Sequence, residues 1–181
     1  MTRWTIDPTH SEVAFKVKHL VISTATGRFE TFHAAIDSEQ EDFSDAKISF
    51  DADVASIQTK NEQRDAHLKS ADFFDAAAYP KLSFVSTAVR KLSDEKLQVT
   101  GNLTMRGVTK EVILDATFNG LATGFDGSKI AGFEIHGKVN RFDFGLHWNA
   151  LTETGGVAVG QDVRIEIQAE FQKVQRAAKA A

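Results

Sequence analysis

The sequence predicts an all-β protein, an eight-stranded antiparallel barrel carrying a short helical lid, and three observations carry that prediction. Apolar residues alternate with polar or small ones in short segments, the period of half-buried strands. Turn residues fill several of the joints, at S93-D94-E95, R106-G107-V108 and G124-F-D-G127, and links this short make neighbouring strands antiparallel hairpins. Helical segments are too few to cover a sheet that is apolar on one face, so the sheet has to hide that face by closing on itself.

Taken in order, the strands are V13-A-F15-K-V17-K-H19, F29 to I36, I48-S-F50-D-A52-D-V54, L82-S-F84, L97-Q-V99-T-G101-N-L103, V112-I-L114-D-A116-T-F118, F133-E-I135 running to V139, and V163-R-I165-E-I167-Q-A169-E-F171. On this phase Val13, Phe15, Val17, Phe29, Phe84, Val99, Leu103, Leu114, Phe118, Phe133, Ile135, Ile165 and Ile167 point inward. An eight-stranded barrel is either filled by such side chains or holds one small elongated ligand.

Residues 57 to 80 and 141 to 161 form connections of about twenty residues, longer than hairpin links usually run, and such insertions are commonly lids or binding loops. In the first, T59-K-N-E62 fits a capping box with Thr59 as N-cap, which predicts helix from about 60 to 68. A second short turn can start at Ser70, with Asp72 near its positive end, and Y79-P80 restores extended chain.

Composition narrows the function. The chain has 181 residues, 42% hydrophobic and 25% charged, which suits one domain; the barrel takes residues 1–172, and 173–181 read as a polar, Ala-rich tail. A net charge of -4 without a dense Lys/Arg block gives nucleic acid no footing. With no cysteine there is no disulfide, thiolate zinc site or Cys nucleophile. The histidines form no H-x-H or H-x-x-x-H spacing, so no metal is expected. No apolar run is long enough for a membrane-spanning helix. M-T-R-W-T-I-D-P-T-H has none of the parts of a secretory signal, which predicts a cytoplasmic protein, or a periplasmic one if a leader has been cleaved. Phenylalanine dominates the aromatics, 14 against 1 Tyr and 2 Trp, so most of the ring area lacks a polar handle.

Arg64, Asp65 and His67 look like catalytic or metal chemistry. On a helix, however, i and i+2 point about 200° apart, and Asp65 and His67 cannot converge on one atom. They read better as ties between lid and rim through charge-assisted hydrogen bonds. D143-F144-G145 lacks the rest of a kinase, G155-G-V-A-V-G160 lacks the Lys-Ser/Thr of a phosphate loop, and no G-x-S-x-G elbow presents a serine.

Four separated blocks resemble the YceI-like polyisoprenoid-binding family: W4-x-I6-D7-x-x-H10-S11-x-V13-x-F15-x-V17-x-H19; R64-D65-x-H67-L68-x-S70-x-D72-F73-F74-D75 with Y79-P80-x-x-S83-F84; G101-x-L103-T104-x-R106-G107-V108-T109-K110; and R141-x-D143-F144-G145-L146-x-W148. The resemblance runs from Trp4 to Phe171. It implies a lipocalin-like barrel with no enzymatic activity, whose tunnel holds an isoprenoid tail, such as that of ubiquinone or a polyprenyl phosphate, with the polar head near one mouth. Leu68, Phe73 and Phe74 are then expected at the lid, and Arg64, His67, Arg141, His147 and Trp148 around the head group. Each isoprene unit would contribute roughly 3 to 4 kcal/mol on burial, against about 4 to 15 kcal/mol for association and ordering, so long tails are favoured. Two alternatives stay open: a small barrel enzyme using His67 or His147 as general base, and a solid-core barrel acting through its surface or as a homodimer.

Overall fold

The computed structural model describes residues 1–176. Its β-segments are β1 (Thr2–Ile6), β2 (Glu12–His19), β3 (Ser23–Phe29), β4 (Phe32–Ser38), β5 (Lys47–Asp53), β6 (Ile57–Gln58), β7 (Lys81–Lys91), β8 (Lys96–Met105), β9 (Val108–Thr123), β10 (Lys129–Asn140) and β11 (Val159–Lys173); the helix is α1 (Glu62–Lys69). Three interruptions divide eight paths into these eleven segments. β1 and β2 are parted by a 3-10 turn at Pro8–His10, and both pair with β11. β3 and β4 are parted by Glu30 and Thr31; β3 lies against β2, and β4 against β1. β5 and β6 flank a 3-10 turn at Val54–Ser56, β5 against β4 and β6 against β3. β5 continues to β7, and β7 through β11 follow one another, so eight antiparallel paths close into a barrel.

This is the predicted architecture, with three corrections to its elements. The first path begins at Thr2 rather than Val13, the second starts at Ser23, and the expected strand from Phe29 to Ile36 is broken in the middle. The break has a cause in its neighbour: Thr31 N–H donates to Ser56 Oγ (3.0 Å), Glu30 N–H to Ser56 O (3.2 Å) and Asp53 N–H to Thr31 O (2.9 Å). Two adjacent paths therefore bend together. At the other end of the chain, β11 reaches Lys173 and Val174 N–H still bonds to Arg3 O; residues 177–181 of the expected tail lie outside the described residues.

The turn between β1 and β2 is built by Asp7. Its Oδ1 accepts from the N–H and hydroxyl of Thr9 (2.9 and 2.7 Å), its Oδ2 lies 2.9 Å from His10 Nδ1, and Pro8 needs no N–H partner. Ser11 Oγ then accepts from Glu170 N–H, returning the chain to β11. His10 and Thr9 hold the Asp7 carboxyl down to a pKa of about 2, from 3.8. Because the folded value is depressed, this stabilisation is present above pH 4 and is lost as pH falls from 4 toward 2; it amounts to at most roughly 2 kcal/mol. His10 works in the opposite sense, its pKa raised by Asp7, and contributes at pH values below its ordinary titration. Urea unfolding at pH 5 and pH 2.5 should show a smaller acid loss in Asp7→Asn than in the wild type; equal losses would remove Asp7 from the account.

One end of the barrel is sealed by rings. The loop from Ser38 to Lys47 is shaped by Asp45, which accepts from Ser38 Oγ and from the N–H groups of Glu39 and Gln40. It turns Phe43, at φ 59°, into the interior, where 1% of its surface stays exposed. Its ring stands edge-on to Trp4, Phe118 and Phe133 at 5.3, 5.2 and 5.1 Å between centroids, within the range of favourable aromatic pairing. This floor accounts for part of the excess of Phe over Tyr: a buried hydroxyl here would need a partner.

Two tight turns lie toward the other end. Between β8 and β9, Arg106 and Gly107 take φ of 48° and 73°, and glycine adopts this without penalty. Between β2 and β3, Ile22 N–H donates to His19 O (3.2 Å) across Leu20 and Val21, at φ 53° and 66°. That conformation costs an L-residue roughly 1–2 kcal/mol, and a β-branched residue there is an outlier.

Candidate functional site

Above the ring floor the barrel encloses a cavity of about 240 Å³. Val13, Phe15, Val17, Phe29, Phe84, Val99, Leu103, Leu114, Phe133, Ile135, Ile165 and Ile167 line it. Phe118 does not; it has the expected parity but lies deeper, packed between Phe43 and Phe133 at 5.2 and 5.3 Å. The walls also include Ile48 and Phe50 of β5, Leu97 of β8 and Val112 of β9, which the same alternation could have supplied. Three inner-face glycines let bulky neighbours lie flat across adjacent strands: a Cβ on Gly27, Gly101 or Gly137 would stand 2.2, 2.4 or 2.4 Å from Phe15, Phe84 or Leu114. Arg141 is the one polar residue among those lining the cavity.

The lid begins at Thr59, which follows β6 and is 6% exposed. The predicted capping box is not what forms. Asn61 is the N-cap, its Oδ1 accepting from Arg64 N–H (3.0 Å), and the helix starts at Glu62. Thr59 serves the helix differently: its N–H and hydroxyl donate to Asp65 Oδ1 (2.8 and 2.6 Å), while its hydroxyl accepts from Arg64 Nε (2.7 Å). Arg64 and Asp65 thus clamp the helix to the strand end. On the next turn His67 Nε2 lies 2.9 Å from Asp72 Oδ2, and the His67 ring stands edge-on to Phe73 and Trp148 at 5.0 and 4.6 Å. Leu68, Phe73 and Phe74 all line the cavity, and Phe74 meets Phe29 of the wall at 6.1 Å.

The second long connection is held by Arg141, 4% exposed. Its Nε donates to Gly160 O (2.8 Å), Nη1 to Leu146 O and Trp148 O (2.7 and 2.8 Å), and Nη2 to Val159 O (3.1 Å), with the Phe142 ring 4.8 Å away. Burial pushes the guanidinium pKa below its ordinary value, but arginine keeps its charge in proteins. Arg106 joins the two insertions, donating through Nη1 to Gly145 O and through Nη2 to Ala71 O (2.8 Å). The sequence marks Arg106 as a turn and motif residue but not as a tie between the insertions, since its targets are backbone carbonyls far along the chain.

The expected rim residues are therefore dispersed. Arg141 borders the cavity, Trp148 and His67 cover Phe73, Arg64 is committed to Thr59, and His147 is exposed with its ring 5.1 Å from Phe142. The wall has a seam beside them: the β9–β10 ladder stops at Asp115–His136, leaving Val108–Leu114 and Gly137–Asn140 unbonded to one another. Asp7, His10 and Glu170 bring ligand-type atoms within 4.8 Å of one another, but Asp7 and His10 belong to the turn before β2 and Glu170 to β11, and none of them lines the cavity. Among the described residues, no helix is long and apolar enough to cross a membrane.

Comparison with known proteins agrees with this architecture. The YceI-like domain family matches residues 4–171. UPF0312 protein SAS2572 of Staphylococcus aureus strain MSSA476 is 42% identical over 172 residues, 94% of this chain and 98% of that one. The crystal structure of the Campylobacter jejuni YCEI protein superposes with a TM-score of 0.74 at 36% identity, covering 87% of this chain and 90% of its own. Burkholderia cenocepacia BcnA reaches 0.78 at 24% identity, over 91% and 98%. A polyisoprenoid binding domain from Saccharophagus degradans shares the fold at 0.69 and 14% identity, over 94% and 98%.

Proposed function

The chain belongs to the YceI-like domain family, and on that premise we propose that it stores or carries a long apolar isoprenoid lipid, an isoprenoid quinone or a polyprenyl phosphate, without transforming it. The observation that carries this reading is the lining of the cavity. Every side chain facing it is apolar except Arg141, and that guanidinium is engaged by four carbonyls. A polar substrate would lose its hydration there with little in return, whereas each buried methylene contributes about 0.8 kcal/mol. Neither His67 nor His147 lines the cavity, which supports a carrier over an enzyme that uses either as its base, and the presence of a cavity supports it over a solid core.

The free volume lies a little below the ~300 Å³ at which drug-sized sites begin. A tail of several isoprene units therefore enters by shifting rotamers of Phe15, Phe74 or the lid. The polar head meets the His67–Trp148 edge and the remaining Nη2 proton of Arg141, with Arg64 and His147 further out. Native mass spectrometry and lipid extraction of purified protein test this: an isoprenoid adduct is expected, with affinity for added quinones rising with tail length. Protein that is always empty and ignores added ubiquinone and polyprenyl phosphate would sink it.

A further inference from the structure

We propose that the corner of the barrel made by the β2–β3 turn and the Leu151–Val157 hairpin inserts into the surface of a lipid bilayer, from which the cavity is loaded; this rests on the lipid-carrier reading. Five large apolar residues gather there in solvent: Leu20, Val21 and Ile22 are 39, 73 and 85% exposed, and Leu151 and Val157 are 81 and 41% exposed. The two elements form one unit. Leu20 N–H donates to Ala158 O (3.0 Å), Leu151 bridges Val157, and Val159 pairs with His19.

The backbone argues that this display is specific. A two-residue turn with positive φ at both central positions favours Asn-Gly, and the β8–β9 turn follows that preference with its glycine. The β2–β3 turn, one residue longer, instead holds Leu20 and Val21 at positive φ, and strain retained against easy relief points to use. A projecting tip of this kind suits the deformable boundary between head groups and acyl chains. Cationic groups flank the turn: Lys60 shares a groove with His19 and Ser23, in which Glu12 is paired with Arg28, while Glu153 of the hairpin is exposed and has to stay at the water side of the head groups. The corner also lies at the lid end of the barrel, for Val17 and Val159, both lining the cavity, lead directly into it.

The test replaces the tip with what the turn prefers, Leu20→Asn with Val21→Gly and Ile22→Ser, so that folding is not at risk. Vesicles of phosphatidylcholine and phosphatidylglycerol, with and without ubiquinone, serve as the probe. Wild-type protein should float with vesicles and extract ubiquinone from them; the variant should do both about ten-fold less, load equally from detergent micelles, and show no lower unfolding midpoint. A variant that extracts from vesicles as fast as wild type would overturn the proposal. So would wild-type protein that does not float and instead self-associates through the tip, losing that association in the variant. Wild type that floats but takes up no quinone even from micelles would sink the carrier reading and leave the docking surface standing.

Discussion

Phe43→Ala is expected to destabilise the protein by about 3–5 kcal/mol, the range for removing a buried aromatic ring. The ring is 1% exposed and is the common neighbour of Trp4, Phe118 and Phe133. Its loss removes three edge contacts together, and the void joins the cavity, because Phe43 is part of the lining. Against a total stability of about 5–15 kcal/mol, that is a large share. Urea unfolding should show a lower midpoint with unchanged slope. Phe125, fully exposed in the β9–β10 turn, is the control: Phe125→Ala should stay within ~0.5 kcal/mol of wild type. Equal effects at the two positions would mean that the floor does not organise the barrel end.

Arg141→Ala should rank second. The carbonyls of Leu146, Trp148 and Gly160 would lose this donor, while that of Val159 keeps Asn149 Nδ2 at 2.8 Å, and a buried group left unpaired costs about 1–3 kcal/mol. Water reaching the loosened loop recovers part of this, so a net loss of roughly 3 kcal/mol is expected. Arg141→Lys retains the charge but cannot spread a planar fork over four acceptors, and it should recover less than half. Hydrogen exchange separates this residue from an ordinary packing position: amides of residues 146–160 should lose protection while those of β7 and β8 keep theirs. Protection lost evenly over the barrel would show that Arg141 acts only on global stability.

Both residues mark the boundary between what sequence pattern reveals and what only the fold does. Period-2 alternation places side chains on a face, and strands obey it wherever their ladders are regular. It says nothing of depth, which is why Phe118, with the parity of Leu114 and Ala116, lies in the floor beneath the cavity. Phe43 could not be found at all: it stands alone in a polar loop, and its partners are brought to it from Trp4 on one side and β9 and β10 on the other. The helix cap was ambiguous because Thr59 and Asn61 both have capping chemistry; Asp65 settles it by taking the Thr59 hydroxyl. The β2–β3 turn carries no turn residue, so local chemistry concealed it. Arg141 stood out in the sequence for its motif, but its service to four carbonyls depends on where the chain returns as β11.

That return governs how the protein can be made. β11 is bonded to β10 on one side and to β1 and β2 on the other, with Gln172 reaching Asp7 from 165 positions away. Until it arrives, β10 and the first path both present naked edges and the apolar interior has no closed wall. Synthesis therefore has to pass Lys173 before the circuit can form. Closure so non-local belongs among the slow, millisecond-to-second folders, and the interval beforehand is when this chain is most exposed to aggregation and to chaperones.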